Sequence, residues 1–317
     1  MLRHDPMQIN STAYWQFYER SRSRPGMLWH YTDIEGLRGI LGSATLRASS
    51  AAHMNDLKEM RIGPAEISRI VIGKGHRGIE EYWNRFTSEQ MVANTCIACL
   101  SGEFDDLSQW RGYAAGRQGF ALGFNYADLE ALAERHQFCL VRCIYERGEL
   151  VARLERMAEE MTEYERVLEM PDGDPNRPLG WPPAPQTARG YAYANWDWWK
   201  QLRSIAPQFK HHAFHNEHEY RLVVPYDALD GMTVKTRLKN GEECRYIEFP
   251  LEVVRSHGGG DPPLPAPLIA VLMGPVPRGV SEKDTFNEID ALVRQSKIGS
   301  GVFVTSSDIP FDYEPER

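Results

Sequence analysis

Between Phe209 and Val224 the chain reads FKHHAFHNEHEYRLVV, which sets four histidines, two glutamates and one arginine within sixteen residues. Three kinds of chemistry fit such a segment. Read as a strand from Glu217 to Val224, it projects Glu217, Glu219 and Arg221 from one side and His218, Tyr220, Leu222 and Val224 from the other. Two carboxylates spaced this way lie roughly 6–7 Å apart along the strand. Each raises the pKa of the other, which suits one of them to general-base work. Read as a helix, the segment gathers His211, His215 and His218 on one face, as a metal site would, but without the His-Glu-x-x-His order of helical zinc sites. Read as an exposed strand, its glutamates and arginine are surface ion pairs of small energetic consequence.

Other residues could join any such site. His30 stands near the end of the apolar run MLWHY and is either a site residue or the partner of a buried polar group. Trp110, Arg111 and Tyr113 fall in LSQWRGYAAG; the two rings suit either a ligand or the core, and Arg111 faces either a phosphate or Asp105 and Asp106. Cys96-x-x-Cys99 and Cys139-x-x-x-Cys143 have knuckle-like spacing, yet both sit in apolar strand-like runs without polar turn residues. They read as buried reduced thiols, and no metal is expected. Asn55, Asp56 and Glu59 read as a helix cap. Tyr191, Tyr193, Trp196, Trp198 and Trp199 read as helix packing or a stacking platform.

The elements that must position these residues alternate in kind. Strands are predicted at MLWHY, ATLRAS, NTCIACLS, GFALGF, HQFCLVRCIYE, MTVKTRL, CRYIEFPLEVV, LIAVLMGP and GVFVTSSDIPF. Thr32-x-x-Glu35 predicts a capping box opening a helix that ends at Gly42. A helical stretch is predicted over about 56–90. A longer helix is predicted over 149–170, where Leu150, Leu154, Met157, Met161, Tyr164 and Leu168 recur at helical spacing. It runs into PDGDPNRPLGWPPAPQ, with six prolines, which cannot be regular structure. A Trp-rich helix follows, and another is predicted over 282–296. Grouped strands with intervening helices define an α+β class. The predicted organisation is a helical lead-in at 1–26 and one domain at 27–317, with a helical, Pro-rich insertion at about 149–208.

Composition narrows the partners. The chain has 317 residues, 42% hydrophobic and 25% charged, with a formal net charge of −8. That balance opposes a general electrostatic grip on nucleic acid or anionic membrane. The one basic cluster is RSRSR at Arg20 to Arg24. No run reaches the ~18 apolar residues of a spanning helix. The first ten residues lack a signal peptide's apolar centre, and five cysteines fit a reducing compartment, so a cytoplasmic location is expected.

LWHYTDIEGLRGIL, LRASSAAHMNDLKEM, CLSGEFDDLSQWRGYAAGRQGFALGF, FKHHAFHNEHEYRLVV and SSDIPF, taken in order over about 27–312, resemble an uncharacterised bacterial family of unknown function. That family in turn resembles the ADP-ribosyltransferase-like fold, with split mixed or antiparallel sheets and flanking helices. The resemblance implies ADP-ribosyl transfer from NAD to a macromolecular acceptor (protein or nucleic acid), or simple NAD cleavage, in a toxin or phage-defence role. It implies that His30 holds the nicotinamide ribose, that Tyr113 (or Tyr31 or Trp110) stacks on the nicotinamide, and that Glu219 is the carboxylate at the reacting sugar. Glu217 becomes the first member of a Glu-x-Glu pair, Ser101 a polar support, and Tyr31, Thr32 and Arg111 further cofactor contacts. A non-catalytic nucleotide-binding module and a histidine-cluster metal hydrolase are the alternatives.

Overall fold

A computed structural model of the chain describes residues 26–53, 59–74, 95–113, 118–171, 174–176, 202, 205–224, 233–239, 241–252 and 266–310. Residues 1–25 of the lead-in, the RSRSR cluster, Asn55, Asp56, most of the Pro-rich insertion and the aromatic cluster at 191–199 lie outside them. The class is α+β, built on one mostly antiparallel open sheet.

Ten strands form that sheet among the described residues: β1 (Met27–Asp33), β2 (Thr45–Ser50), β3 (Cys96–Ser101), β4 (Gly119–Asn125), β5 (Cys139–Arg142), β6 (Glu219–Val224), β7 (Lys235–Lys239), β8 (Glu242–Pro250), β9 (Leu268–Met273) and β10 (Phe303–Ser306). Their order is β10-β9-β4-β1-β3-β2-β8-β7, with β6 pairing β3 and carrying β5. Only β10 and β9 run parallel. The described helices are α1 (Ile34–Ser43), α2 (Glu59–Ile70), α3 (Leu107–Tyr113), α4 (Tyr126–Arg135), α5 (Arg147–Leu168) and α6 (Glu282–Gln295).

Most of these elements follow the predicted apolar runs. Two helices do not. α3 lies between two predicted strands and α4 follows β4, and no helix is predicted in either place. The Asn125 side chain caps α4 by accepting the Asp128 N–H, and Leu129, Leu132 and Ala133 form its buried face. The cap of α1 also differs by one residue: Asp33, not Thr32, accepts the Gly36 N–H at 2.8 Å.

The decisive feature is at β3. One edge of β3 pairs with β6 along its whole length, from Cys96↔Val224 to Ser101↔Glu219. The other edge is divided. β2 meets it only at Ile97 and Cys96, and β1 only through Trp29↔Ser101. Between those contacts β1 and β2 diverge, and α1 bridges their far ends. The sheet therefore splits over Ala98 to Leu100, opening a cleft floored by the middle of β3.

A large core beneath α1, α4 and α6 holds both halves of the sheet together, through Leu28, Leu46, Ala98, Phe120, Leu222, Ile247 and Phe249. A separate cluster joins α2, α5 and residues 205–209. At its tightest point α2 leaves no room for a side chain: a Cβ on Gly63 would lie 2.1 Å from the Ala206 carbonyl oxygen. This close approach fixes the short turn Ala206–Gln208 that leads into the acidic segment.

Candidate functional site

The cleft where β1 and β2 part from β3 is a cavity of about 630 Å³, within the range that holds small ligands. Its walls are the end of β1, one side of α1, the start of β2, the middle of β3 and the segment 210–221. A smaller recess of about 40 Å³ adjoins it, bordered by His30, Ser101, Tyr113, Glu217 and Glu219. His30, Tyr113, Glu217 and Glu219 line both spaces.

His30 is explained by the split itself. With no strand beside it there, the Cys99 carbonyl lacks a ladder partner, and His30 Nδ1 lies 2.9 Å from that oxygen. A carbonyl only accepts, so Nδ1 carries the proton. Burial lowers the imidazole pKa below its usual value, and the hydrogen bond to Cys99 only partly offsets this. The neutral ring therefore offers Nε2 as a hydrogen-bond acceptor. His30 thus satisfies a buried polar group and also lines the cavity.

The acidic segment differs from the predicted strand. β6 begins only at Glu219. Residues His212–Glu217 form a 3-10 turn, and His218 between them is left-handed, at φ 43° and ψ 46°. Glu217 is thus not on the strand. The predicted exposed charged face is also absent, because Glu219, Arg221 and Val223 are all buried. What unites the carboxylates is Lys210, at the other end of the turn. Its ammonium hydrogen-bonds Glu219 Oε2 and sits 2.6 Å from Glu217 Oε2. Lys210 is itself buried, and its Nζ lies 5.1 Å from the centre of the Phe214 ring.

Arg221 completes the cluster. Its Nε donates to Glu219 Oε1 at 2.9 Å and its Nη1 to the Pro207 carbonyl at 2.5 Å. Burial by itself would raise the Glu219 pKa, but Arg221 and then Lys210 outweigh it and pull the carboxyl down to about 2. Burial would likewise lower the Lys210 ammonium, yet Glu219 and Glu217 hold it well above its usual value. Two anions and two cations balance here, which is how a buried charge is tolerated. The Cys99 thiol lies beside Glu219. Burial and the nearby carboxylate push that thiol well above its ordinary value. Tyr145, on the stretch leading into α5, accepts the Glu219 N–H at 2.6 Å and fixes the start of the strand.

Exposure separates the two glutamates. The Glu219 side chain is 3% exposed and that of Glu217 is 24% exposed. Glu217 is the carboxylate that a ligand can reach. Ser101 is buried, donates to the Glu217 carbonyl at 2.7 Å and accepts the Glu103 N–H at 3.0 Å. It holds the turn in place.

The aromatic candidates divide similarly. Tyr113 ends α3 beside the cavity, 45% exposed. Trp110 lies instead in the core, its ring T-shaped against Tyr31 at 4.7 Å and its Nε1 donating to Asp105 Oδ1 at 2.8 Å. Trp110 does not border the cavity: at this turn of α3 an apolar ring with its N–H already bonded packs inward. Tyr31 borders the cavity, but its hydroxyl donates to the Glu103 carbonyl and accepts the Asp106 N–H. Thr32 lines the cavity near the end of β1. Arg111 is exposed on α3 and does not line the cavity.

The histidines do not form a ligand set. His211, His212, His215 and His218 are exposed, His218 Nδ1 lies 2.9 Å from Glu103 Oε1, and His211 Nδ1 accepts the Ala213 N–H. Among the described residues no three His, Cys, Asp or Glu side chains converge as a metal site. No described helix is long and apolar enough to cross a membrane.

Residues 109–222, from Gln109 in α3 to Leu222 in β6, match a sequence family described as Protein of unknown function (DUF2971). The match takes in Tyr113, Glu217, Glu219 and Arg221 but stops short of the β1–α1–β2 wall. No curated protein and no solved structure matches the chain.

Lys210 and Cys99 are the site residues that sequence reasoning missed. Lys210 stands in the same sixteen-residue segment as the glutamates. Its only signal there was a lysine beside an apolar run, which describes countless solvated lysines.

Proposed function

We propose that the cavity binds NAD and that the protein cleaves its nicotinamide–ribose bond, passing the ADP-ribosyl group to a protein or nucleic-acid acceptor on an ADP-ribosyltransferase-like fold. One observation carries this reading: His30, Tyr113, Glu217 and Glu219, drawn from four elements, border one cavity at the split in the sheet. The sequence resemblance named the same four residues.

The chemistry suits those groups. As the C1′–N bond breaks, its electron pair leaves on the nicotinamide nitrogen and positive charge builds on the ribose. A preplaced carboxylate stabilises that charge best where water is excluded. Glu217 is the reachable one, and it also accepts the proton that the acceptor loses when it bonds to C1′. His30 Nε2 accepts a hydrogen bond from a ribose hydroxyl, while the Tyr113 ring flanks the nicotinamide. Glu219 serves from behind by anchoring Lys210, whose ammonium orients Glu217. Such an activity fits a toxin or defence effector acting in the cytoplasm.

A second reading has its own support. Glu219, the residue the motif marks for the sugar, is almost fully buried and shared between Arg221 and Lys210. A carboxylate neutralised in this way favours a nucleotide-binding module without turnover.

One experiment divides the two. Purified protein is incubated with NAD, and free nicotinamide and ADP-ribose label on lysate protein or nucleic acid are followed. The transferase reading expects release and transfer, both cut by about a hundredfold or more in Glu217→Gln. NAD that binds equally to wild type and Glu217→Gln, with no release from either, establishes the binding module instead.

A further inference from the structure

We propose that Arg47, Ser49 and Arg237 form an anion subsite that grips the phosphate groups of the ligand in this cavity. The inference rests on the nucleotide reading and deepens it, by assigning the charged part of the ligand to residues to which neither the resemblance nor the family match gives a role.

Strand pairing puts these residues together. Ser49 faces Tyr246 and Arg47 faces Glu248 across the β2–β8 ladder, while Lys235 faces Tyr246 and Arg237 faces Cys244 across β7–β8. Residues directly opposite share a side of the sheet, and every second residue returns to it. One side of this three-stranded ribbon therefore carries Arg47, Ser49, Lys235, Arg237, Tyr246 and Glu248. The other side, with Leu46, Ala48, Ile247 and Phe249, is core.

Two guanidiniums are braced on one ring. The Arg47 Cζ lies 5.0 Å, and the Arg237 Cζ 5.9 Å, from the centre of the Tyr246 ring. Arg237 Nη2 also donates to Ser49 Oγ at 3.1 Å. The nearby carboxylate is taken by another cation: Lys235 Nζ is 2.6 Å from Glu248, whereas Arg47 Nε is 3.9 Å away. Arg47, Ser49 and Arg237 all line the cavity. Elsewhere in its wall charges cancel or are negative: Lys210 and Arg221 face Glu217 and Glu219, and Asp33 and Glu35 stand at the start of α1. The β2–β8–β7 wall is where cations outnumber carboxylates. Planar forks held on an aromatic ring match the bidentate demands of a phosphate.

The test is calorimetric titration of the full chain with inorganic pyrophosphate, ADP-ribose and, as a phosphate-free probe, adenosine. Wild type is expected to bind pyrophosphate and ADP-ribose, less tightly as salt rises. The double variant Arg47→Gln/Arg237→Gln is expected to lose at least about tenfold in affinity for both and to bind adenosine unchanged. Arg47→Lys/Arg237→Lys keeps the charge but not the fork and falls between. Arg294→Gln, which removes an exposed charge from α6, leaves all three unchanged. Wild type that binds neither pyrophosphate nor ADP-ribose overturns the subsite. NAD cleavage at unchanged KM in the double variant also overturns it, while the transferase reading stands. Pyrophosphate binding that the double variant abolishes, in a protein that never cleaves NAD, upholds the subsite and sinks the transferase reading alone.

Discussion

The ammonium of Lys210 is buried against the carboxylate of Glu219, nine residues along the chain and on the far side of a 3-10 turn. This contact, more than the spacing of the two glutamates, makes one site of the acidic segment. Removing it leaves Glu219 with Arg221 alone and Glu217 without its cation. Lys210→Met is therefore expected to destabilise the fold by about 3 kcal/mol or more, the cost of breaking a buried pair from one side. Urea unfolding should show a lower midpoint. A midpoint within error of wild type would mean that the cluster is not closed in solution.

Acid should loosen the same cluster. The Glu219 pKa falls from 4.5 to about 2 on folding. A depressed carboxyl stabilises the fold above its unfolded pKa, and that stabilisation drains away as pH falls from about 4.5 toward 2. The linkage amounts to about 3 kcal/mol. Glu219→Gln should lower stability at neutral pH and flatten the stability-versus-pH curve in that window. An unchanged acid limb in Glu219→Gln would assign acid lability to other groups.

His30 predicts a separable pair of effects. Its lowered pKa means that the unfolded chain binds the proton more readily, so His30 adds stability above about pH 6.5 that is lost as pH drops below it. His30→Ala orphans the Cys99 carbonyl and should cost about 1–3 kcal/mol. His30→Asn can still donate to that carbonyl and should recover much of the stability. Neither variant retains an acceptor at Nε2, so both should bind NAD poorly. Calorimetry and thermal melts on the two variants check both halves.

The close approach at Gly63 bears on the site from a distance. A methyl there meets backbone, not a yielding side chain, and displaces the turn whose Pro207 carbonyl holds Arg221. Gly63→Ala is expected to cost at least about 2 kcal/mol and to weaken ligand binding as Arg221 shifts. Tight binding in a fully stable Gly63→Ala protein would contradict the tertiary contact.

The thiols give a simple chemical check. Cys96, Cys99, Cys139, Cys143 and Cys244 are all free. Burial raises the Cys96 thiol to about 11, and burial together with the charge of Glu219 also raises Cys99 well above its ordinary value. At about pH 8 neither should react readily with a disulfide reagent, because the thiolate is the reactive form. All five should titrate once the chain is unfolded.

How much of this was legible beforehand depends on the range of the interaction. Apolar periodicity is local, so β1, β3, β4, α5 and α6 could be read directly, and with them the α+β class. The residue types at the site were also legible: His30, Tyr113, Glu217 and Glu219 stood out because their chemistry and order are unusual together. α4 could have been found from Asn125 and the Leu129–Leu132 spacing. The site's electrostatics could not. Strand parity left open an exposed charged face, but the left-handed residue His218 interrupts the strand, and Pro207 and Lys210 pack onto the Glu219 and Arg221 side chains.

The sequence by itself determined which segments become strands and helices and which side chains carry acid, base and ring. Only tertiary structure decided that β1 and β2 part company over Cys99, that Lys210 and Arg221 neutralise Glu219, and that Arg47 and Arg237 meet on one tyrosine. Periodicity is written into a few neighbouring residues. The charge balance of a buried cluster is set by groups that only folding brings within a few ångströms.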